Sequence, residues 1–192
     1  GSPAKDQTLA QPFPPGVFGA FVRVSPDGTR ALVAESSFDE IVQVDLATLA
    51  VQKLATVPRL FDVIFFSDTE VLLSTSPTNG TTLIHLNTAT GAQHPVAEVS
   101  GPSGPLALDR SGNLYYVRST FEFPAPPGSH ALLRFCQAEV AEAVQGTRVL
   151  NESDADVITA LDSGFDLVVN MTGDIFVTAL LGPVNRVTLP GT

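Results

Sequence analysis

The sequence has almost no cysteine, methionine or tryptophan: one Cys, one Met and no Trp among 192 residues. The single cysteine, Cys136, excludes an intrachain disulfide, so the fold must be stabilised by a hydrophobic core. With 44% hydrophobic and 16% charged residues, the chain has the composition of an ordinary globular domain. Its length is sufficient for one core of good size. The cysteine count leaves the cellular compartment open.

Basic residues are also scarce, since 10 Lys and Arg stand against 20 Asp and Glu and the net charge is −10. Nucleic-acid binding needs a basic stripe that displaces counterions from phosphates, and an anionic membrane surface attracts a polybasic patch. The basic residues here are scattered singly, which argues against both kinds of partner. No apolar run approaches the roughly 18 residues of a membrane-spanning helix, so we expect no membrane span.

Motifs of nucleophilic, phosphate-binding and histidine-based metal sites are absent from the sequence. There is no Gly-x-Ser-x-Gly elbow and no phosphate-binding glycine loop. The three histidines, His85, His94 and His130, are not spaced as metal ligands. Cys136 has no sequence neighbour that would activate it as a nucleophile. We therefore assign no catalytic residue.

What the sequence does contain is one repeated pattern, an apolar run followed by a polar turn and a second apolar run. It occurs as VSPDGTRALVA (24–34), VIFFSDTEVLLS (63–74), LALDRSGNLYYV (106–117) and LVVNMTGDIFVT (167–178). A turn rich in Asp, Asn, Gly and Ser between apolar runs is typical of two antiparallel strands. Ala31, Val71, Leu114 and Ile175 are then equivalent, at spacings of 40, 43 and 61 residues.

A period near 40 residues with four strands per unit predicts the blades of a β-propeller. A second landmark supports this period, because Asp45 and Asn87 lie 42 residues apart, each at the end of an apolar strand. Both side chains can start a turn by bonding their own backbone. We predict an all-β propeller of four blades, each a four-stranded antiparallel sheet. The units span approximately residues 16–58, 59–100, 101–151 and 162–192, within a single domain.

The extra residues between the third and fourth units are predicted to be insertions in one blade. Residues 121–128, FEFPAPPG, are too rich in proline to continue a central strand. Residues 137–144 contain good helix formers and predict a short helix. We expect an outer strand over residues 147–150 and an acidic surface loop over residues 152–163. In the fourth copy, Phe176 is expected to belong to the packed inner hairpin, on whichever face the alternation of the strand selects.

Four blades raise the question of how the ring closes. The last unit has only three recognisable strands, and residues 5–12 resemble residues 51–58, an outer strand followed by proline. We predict that residues 5–12 are the closing strand of the last blade, where they would pair an otherwise open edge. Three arrangements stay open: a small closed ring, half of a larger ring completed by a second chain in a homodimer, and a piece of a longer protein.

Parts of these repeats resemble known bacterial propeller families. SPDGTRALVAES and VQVDLATLAV resemble a YVTN-type repeat, while PLALDRSGNLYYV and FDLVVNMTGDIFV resemble NHL and gluconolactonase-like repeats. The resemblance extends over residues 16–189. It implies a bacterial propeller protein, and YVTN-type repeats are common in surface proteins, so we expect an extracellular or periplasmic location. These families usually close with six or seven blades, whereas this chain has four.

Residues just before the inner strands of a propeller face the funnel at one end of its axis. The candidates for ligand binding there are Arg59, Asp62 and Asp166, and the ends of the second strands add Glu35 and Arg118. The repeated Phe-Asp pattern places Asp62 and Asp166 near the axis from different blades. These two aspartates could hold Ca²⁺, which prefers six to eight oxygen ligands, or each could cap a turn. Glu35 and Arg118 could bind a polar ligand or pair with each other.

Two functions follow from this reading. The first is a non-catalytic binding scaffold that holds a protein, glycan or small ligand on the funnel face. The second is a divalent-metal-assisted lactonase or lyase, of the gluconolactonase-like or streptogramin-lyase-like kind. Such enzymes need several convergent metal ligands, and only Asp62 and Asp166 are available here. We therefore favour the scaffold and expect no cofactor, with Ca²⁺ as the alternative.

Overall fold

The computed structural model describes residues 21–35, 39–75, 80–102, 104–120, 126, 128–179 and 182–189. Its strands form four sheets arranged as the four blades of a β-propeller, which confirms the predicted fold class. In each blade the chain runs as an antiparallel meander from an inner strand at the axis toward the periphery. No helix in this part of the chain is long and apolar enough to cross a membrane.

The elements follow one another in the order expected for successive blades. The first blade contains β1 (Phe21–Val24), β2 (Arg30–Glu35), β3 (Glu40–Asp45) and β4 (Val51–Thr56). The second contains β5 (Leu60–Phe65), β6 (Glu70–Thr75), β7 (Thr81–Asn87) and β8 (Gln93–Val99). Next come β9 (Leu106–Leu108), β10 (Leu114–Arg118), β11 (Ala131–Phe135), α1 (Gln137–Val144), β12 (Leu150–Asn151), a 3-10 turn (Glu152–Asp154) and β13 (Asp156–Ala160). The last blade contains β14 (Asp166–Val169), β15 (Ile175–Thr178) and β16 (Val184–Val187).

Short polar side chains close the hairpins by bonding to their own backbone. In the hairpins between first and second strands, Asp27, Asp109 and Asn170 each accept the N–H two residues further on, at 3.0, 2.8 and 2.9 Å. Asp45 and Asn87 accept the corresponding N–H at 3.0 Å after the third strands. The predicted turn role of Asp45 and Asn87 is thus confirmed. These local bonds direct the chain back along the same sheet.

The third blade departs from the sequence prediction at its outer edge. The expected outer strand over residues 147–150 is wrong, because β12 leaves this blade and pairs in parallel with β8 of the second blade. The outer strand is instead β13, paired with β11, although an acidic surface loop was expected there. The predicted helix over residues 137–144 is confirmed as α1. Its buried residues, Val140, Ala143 and Val144, join the core shared by the second and third blades. The helix therefore packs beside the second blade, and the chain that follows it reaches β8.

Neighbouring blades bury their facing apolar side chains against each other. The first and second blades share a core that includes Leu32, Ile41 and Leu73. The second and third blades share one that includes Leu72 and Tyr116. A third core joins the third and fourth blades and contains, among others, Tyr115, Val117, Leu167, Ile175 and Val177. Each sheet is therefore apolar on the face that meets its neighbour, which makes the stack of blades the main source of stability.

The first and fourth blades do not cover each other in the same way. Val22 and Val24 lie opposite Val33 and Ala31, on the face of the first blade turned away from the second, and both are more than half exposed. On the fourth blade, Val168 and Val184 lie on the face turned away from the third, and both are also more than half exposed. The described blades therefore pack as a series in which the two end faces remain uncovered.

Two further expectations concern this last blade. Phe176 belongs to the inner hairpin of β14 and β15, as expected, and its side chain is half-buried because it lies on the face away from the third blade. The predicted closing strand over residues 5–12 lies outside the described residues. Part of the proline-rich segment 121–128 also lies outside them.

Core truncation between the second and third blades should destabilise the protein. Leu133 is fully buried in that core, so Leu133→Ala should lower the free energy of unfolding by about 2–5 kcal/mol in urea titrations. The control is Val149→Ala, because nearly half of the Val149 side chain is exposed; it should change that free energy by about 0.5 kcal/mol or less. Equal effects of the two variants would contradict the packing of these blades.

Candidate functional site

The inner strands bring charged and aromatic side chains together at the propeller axis. Phe61 is the extra residue of a β-bulge, since Leu60 pairs with Thr75 and Asp62 pairs with Ser74. A bulge turns the side chains on either side of it, and here Leu60 and Asp62 are both buried while Phe61 is left half-buried at the axis. The irregularity at this strand start therefore positions the site.

The carboxylate of Asp62 is completely buried and accepts hydrogen bonds from a side chain and from the backbone. Oδ1 accepts hydrogen bonds from Nη2 of Arg23 at 2.9 Å and from the backbone N–H of Val63 at 2.8 Å. Oδ2 accepts the backbone N–H of Leu106 at 2.9 Å. The donors come from β1, β5 and β9, so one side chain ties together the inner strands of three blades.

Burial raises the pKa of Asp62 from its ordinary value of 3.8 to about 6. The loss of solvation outweighs the opposing effects of the Arg23 charge and of the N–H groups of Leu106 and Val63. Asp166 adds a smaller effect in the same upward direction, because a second negative charge disfavours ionisation. The donors around Asp62 thus offset part of the cost of burying its charged form, and burial remains the larger effect.

Asp166 has the same local geometry but a different environment. Its Oδ1 accepts the N–H of the following residue, Leu167, at 2.9 Å, as Asp62 does with Val63. Nη2 of Arg23 lies 3.6 Å from Oδ1 of Asp166, so the guanidinium stands between the two aspartates. About half of the Asp166 side chain is exposed. The structure thus brings the two aspartates to one guanidinium, which lies between them.

Three phenylalanines surround this charged group. The ring centroids of Phe21 and Phe61 are 5.7 Å apart, and those of Phe61 and Phe165 are 6.0 Å apart in an edge-to-face arrangement. The Arg23 guanidinium lies 5.2 Å from the centroid of the Phe21 ring. Phe165 is 43% exposed. We call Phe21, Phe61, Phe165, Arg23 and Asp166 the axial cluster.

Sequence reasoning located Asp62 and Asp166 but did not assign Arg23 or the three phenylalanines to the site. Phe61 and Phe165 were visible in the repeated Phe-Asp pattern, and they were treated there only as a marker of alignment. No sequence pattern marked Arg23 as a site residue. It lies between two valines in β1, and its partner Asp62 is 39 residues away. Only the convergence of inner strands brings them together.

The other predicted ligand-binding residues lie apart from the axial cluster. Arg59 is exposed, and its backbone N–H bonds to Oδ1 of Asp39 at 2.6 Å. Glu35 is the last residue of β2, and its backbone lies opposite that of Glu40 in β3. Arg118 forms an ion pair with Glu152 and donates a hydrogen bond to the carbonyl of Gly128 at 2.6 Å. The partner of Arg118 is therefore Glu152, and sequence reasoning did not identify it.

Arg118 lines a shallow polar cleft between the second and third blades. The cleft has a volume of about 410 Å³ and is also lined by Ser100, Ser119 and Ser129. Glu152 binds Ser100 as well as Arg118, so its carboxylate joins three chain segments at the cleft. Much of the hydrogen-bonding capacity here is used internally. The cleft is a weaker candidate for a binding site than the axial cluster.

Sequence reasoning left Ca²⁺ binding at Asp62 and Asp166 open, as an alternative to turn capping. Both oxygens of Asp62 already accept hydrogen bonds, and the Arg23 guanidinium takes the position between the two carboxylates that a bridging cation would need. Among the residues that the structure describes, no three His, Cys, Asp or Glu side chains form a group that could hold a metal ion. The donor set on this face therefore does not match the six to eight oxygens that Ca²⁺ prefers.

Comparison with known proteins shows the fold and leaves the activity open. No protein-family model matches the chain, and no curated protein sequence matches it either. Among solved structures, a chain of the nidogen/laminin complex matches with a TM-score of 0.65 and 12% identity, over 88% of this chain and 58% of that one.

Two bacterial proteins are also similar in structure. A gluconolactonase from Xanthomonas campestris matches with a TM-score of 0.61 and 17% identity, over 88% of this chain and 58% of that one. TolB from Acinetobacter baumannii matches with a TM-score of 0.60 and 12% identity, over 86% of this chain and 39% of that one. The chain thus spans roughly two fifths to three fifths of the proteins it resembles. At these identities the likeness establishes the propeller fold alone.

The buried Asp62 carboxyl should make stability depend on pH. Because its pKa is raised in the native state, its contribution is fully present below about pH 4 and is lost as the pH rises through about 6. The shift of about two units corresponds to about 3 kcal/mol. Asp62→Asn does not titrate at this position. Its free energy of unfolding, measured relative to the unmodified protein, should therefore rise by up to about 3 kcal/mol between pH 4 and pH 7.

Urea titrations at several pH values provide this measurement, and Asp156→Asn serves as the control because Asp156 is largely exposed. A difference that stays constant with pH would show that folding leaves the pKa of Asp62 unchanged. A change in the opposite direction would show that Arg23 and the two N–H groups keep Asp62 ionised at low pH. Either result would contradict the dominance of burial.

Proposed function

We propose that this chain is a non-catalytic binding scaffold that holds a ligand with an apolar or aromatic group at the axial cluster. The observation that carries this proposal is the set of three phenylalanines around a charged pair at the axis, with Phe165 43% exposed. Aromatic surface that remains accessible beside a few fixed polar groups is typical of ligand sites. The ligand is either a small molecule or a side chain or glycan of a partner protein.

The charged part of the cluster suits a scaffold better than a catalyst. A general base or nucleophile must reach the substrate, and Asp62 is buried with both oxygens engaged. Arg23 and Asp166 are partly exposed and oppositely charged, so they offer one donor group and one acceptor group to a polar end of the ligand. Arg23 and Asp166 would thus orient and recognise the ligand.

The setting we propose is extracellular or periplasmic, as the resemblance to surface-protein repeats suggests. The runner-up is a metal-assisted lactonase or lyase. Its support is the likeness in fold to a gluconolactonase together with two axial carboxylates. The engagement of Asp62 by Arg23 weighs against it, since a metal would have to displace an ion pair that also anchors β1.

The scaffold proposal predicts a binding site that depends on Phe165. The probe 1-anilinonaphthalene-8-sulfonate combines aromatic rings with an anionic group, and the chain has no tryptophan to interfere with its fluorescence. Phe165→Ser should weaken probe binding about 5- to 30-fold, as expected for a loss of about 1–2 kcal/mol of apolar contact. The melting temperature should change little, because Phe165 is partly exposed already.

The matched control is Met171→Ser, which removes an apolar side chain that is even more exposed and lies in the turn between β14 and β15. It should leave probe binding unchanged. Equal weakening by both variants, or none by Phe165→Ser, would count against the axial cluster as the site.

Calorimetric titration with calcium chloride separates the two functions. The scaffold predicts no stoichiometric binding, because the Arg23 guanidinium already lies between the two axial carboxylates. Stoichiometric binding that disappears in Asp166→Asn would contradict this expectation and favour the metal-assisted enzyme. Binding that persists in Asp166→Asn would place calcium away from the axis and would leave the scaffold proposal in place.

A further inference from the structure

Two histidines lie against each other where α1 meets the second blade. His85 in β7 is directly opposite His94 in β8, and their ring centroids are 4.7 Å apart at an angle of 40°. On its other side His85 pairs with Leu72 of β6, whose side chain belongs to the core between the second and third blades. Opposite residues of antiparallel strands share one face of the sheet. The two histidines are therefore on the face against which α1 packs.

His94 contacts the end of the helix directly. Its Nε2–H donates to the carbonyl of Ala143 at 3.2 Å, which places the proton of a neutral His94 on this nitrogen. The same carbonyl accepts the N–H of Gly146 at 2.9 Å, where a left-handed backbone ends α1. From this turn the chain continues to β12, which pairs with β8. One imidazole thus connects the second blade to the segment that crosses over from the third.

His85 is buried in its neutral form. Its side chain is 5% exposed, and among the described residues neither of its ring nitrogens makes a hydrogen bond. Oε1 of Glu70 lies 3.5 Å from Nε2, while the other oxygen of Glu70 accepts a hydrogen bond from Ser67 at 3.0 Å. Burial, and then the neighbouring His94, lower the pKa of His85 below its ordinary value of 6.5, and Glu70 opposes them only in part.

We propose that the His85–His94 pair makes the docking of α1 on the second blade sensitive to acid. Local opening of α1 admits water to the pair, so that His85 can bind a proton that the closed form excludes. The contribution of neutral His85 to docking is fully present above about pH 6.5 and is lost as the pH falls toward its lowered pKa. Because the open form binds the extra proton, opening becomes up to about tenfold more favourable per pH unit in this range.

Glu70 and His94 are the charged or ionisable groups that act on His85 from β6 and β8. From the third blade, Tyr116 reaches the same core, but its hydroxyl donates to Thr81 at 2.9 Å, at the far end of β7. The direction of the effect is therefore set by burial of His85 and by its histidine neighbour.

The charged groups of α1 and of the turn that follows it are engaged with one another. Glu139 and Glu142 each lie 3.7 Å from the guanidinium of Arg148, and Arg148 also donates to Asp154 at 2.8 Å. Cys136, at the start of the helix, donates to Glu139 at 3.2 Å. The helix turns Val140, Ala143 and Val144 toward the core, and its link to the histidines is the Ala143 carbonyl.

Hydrogen exchange of the α1 amides tests the proposal on the full chain. Exchange rates corrected for the intrinsic effect of pH give the opening constant of residues 141–144. Between pH 7 and pH 5.5 this constant should rise by up to about eightfold, as uptake of one proton with a pKa of 6.5 in the open form requires. In His85→Leu the rise should be absent. The matched control is His130→Leu, since His130 is also buried but lies outside the pair; it should keep the rise.

Two further measurements keep the test independent of that variant. The imidazole protons of His85 should titrate below pH 6.5 in the unmodified protein, at the pH values where α1 loses protection. His94→Gln retains a donor for the Ala143 carbonyl and should leave protection at pH 7 unchanged. His94→Ala removes that donor and should raise the opening constant at pH 7 by about 2- to 10-fold.

Four results would overturn the proposal. The first is an opening constant of α1 that does not change with pH in the unmodified protein, and the second is an equal rise in His85→Leu. The third is titration of His85 at or above pH 6.5. The fourth is exchange of the α1 amides no faster than that of the buried amides of Leu72 and Leu73 in β6, because the helix would then open only when the whole blade unfolds.

Discussion

The buried carboxylate of Asp62 is the interaction on which the axis of this propeller depends. Interblade cores are spread over many apolar side chains, but at the axis the inner strands of three blades meet at a single charged group. Burying such a group is costly unless donors surround it, and here Arg23 from β1 and the N–H of Leu106 in β9 supply them. The first blade is thereby fixed to the second and third by directional bonds as well as by packing.

The same interaction explains the character of the candidate site. Arg23 is held at the axis by Asp62, so its guanidinium stays close to Phe21 and to Asp166. The bulge that buries Asp62 also turns Phe61 toward Phe165. Structure and recognition share these residues: the buried half of the group holds the blades in place, and its exposed half presents aromatic surface with one charge of each sign.

Much of the fold was predictable because it follows from local chemistry. Turns such as that at Asp45 are made by side chains that bond their own backbone, and α1 follows from a run of good helix formers, so neither depends on distant residues. The position of β13 was missed although Val157, Ile158 and Thr159 are β-branched residues typical of a strand, because the acidic residues around them favoured a surface loop. Its choice was decided by competition, because Leu150 and Asn151 pair with β8 of another blade.

The axial site also combines features set by local sequence with features set by tertiary contacts. By itself, the sequence determined that four similar hairpins would form and that Asp62 and Asp166 would begin inner strands, because a repeated pattern produces a repeated local structure. Only the tertiary structure decided that Arg23 would bridge the two aspartates, that Phe21, Phe61 and Phe165 would meet, and that Arg118 would pair with Glu152. The axial contacts join residues from different blades, and the Arg118–Glu152 pair joins residues 34 positions apart. The packing of the strands and blades sets these distances, which no local pattern encodes.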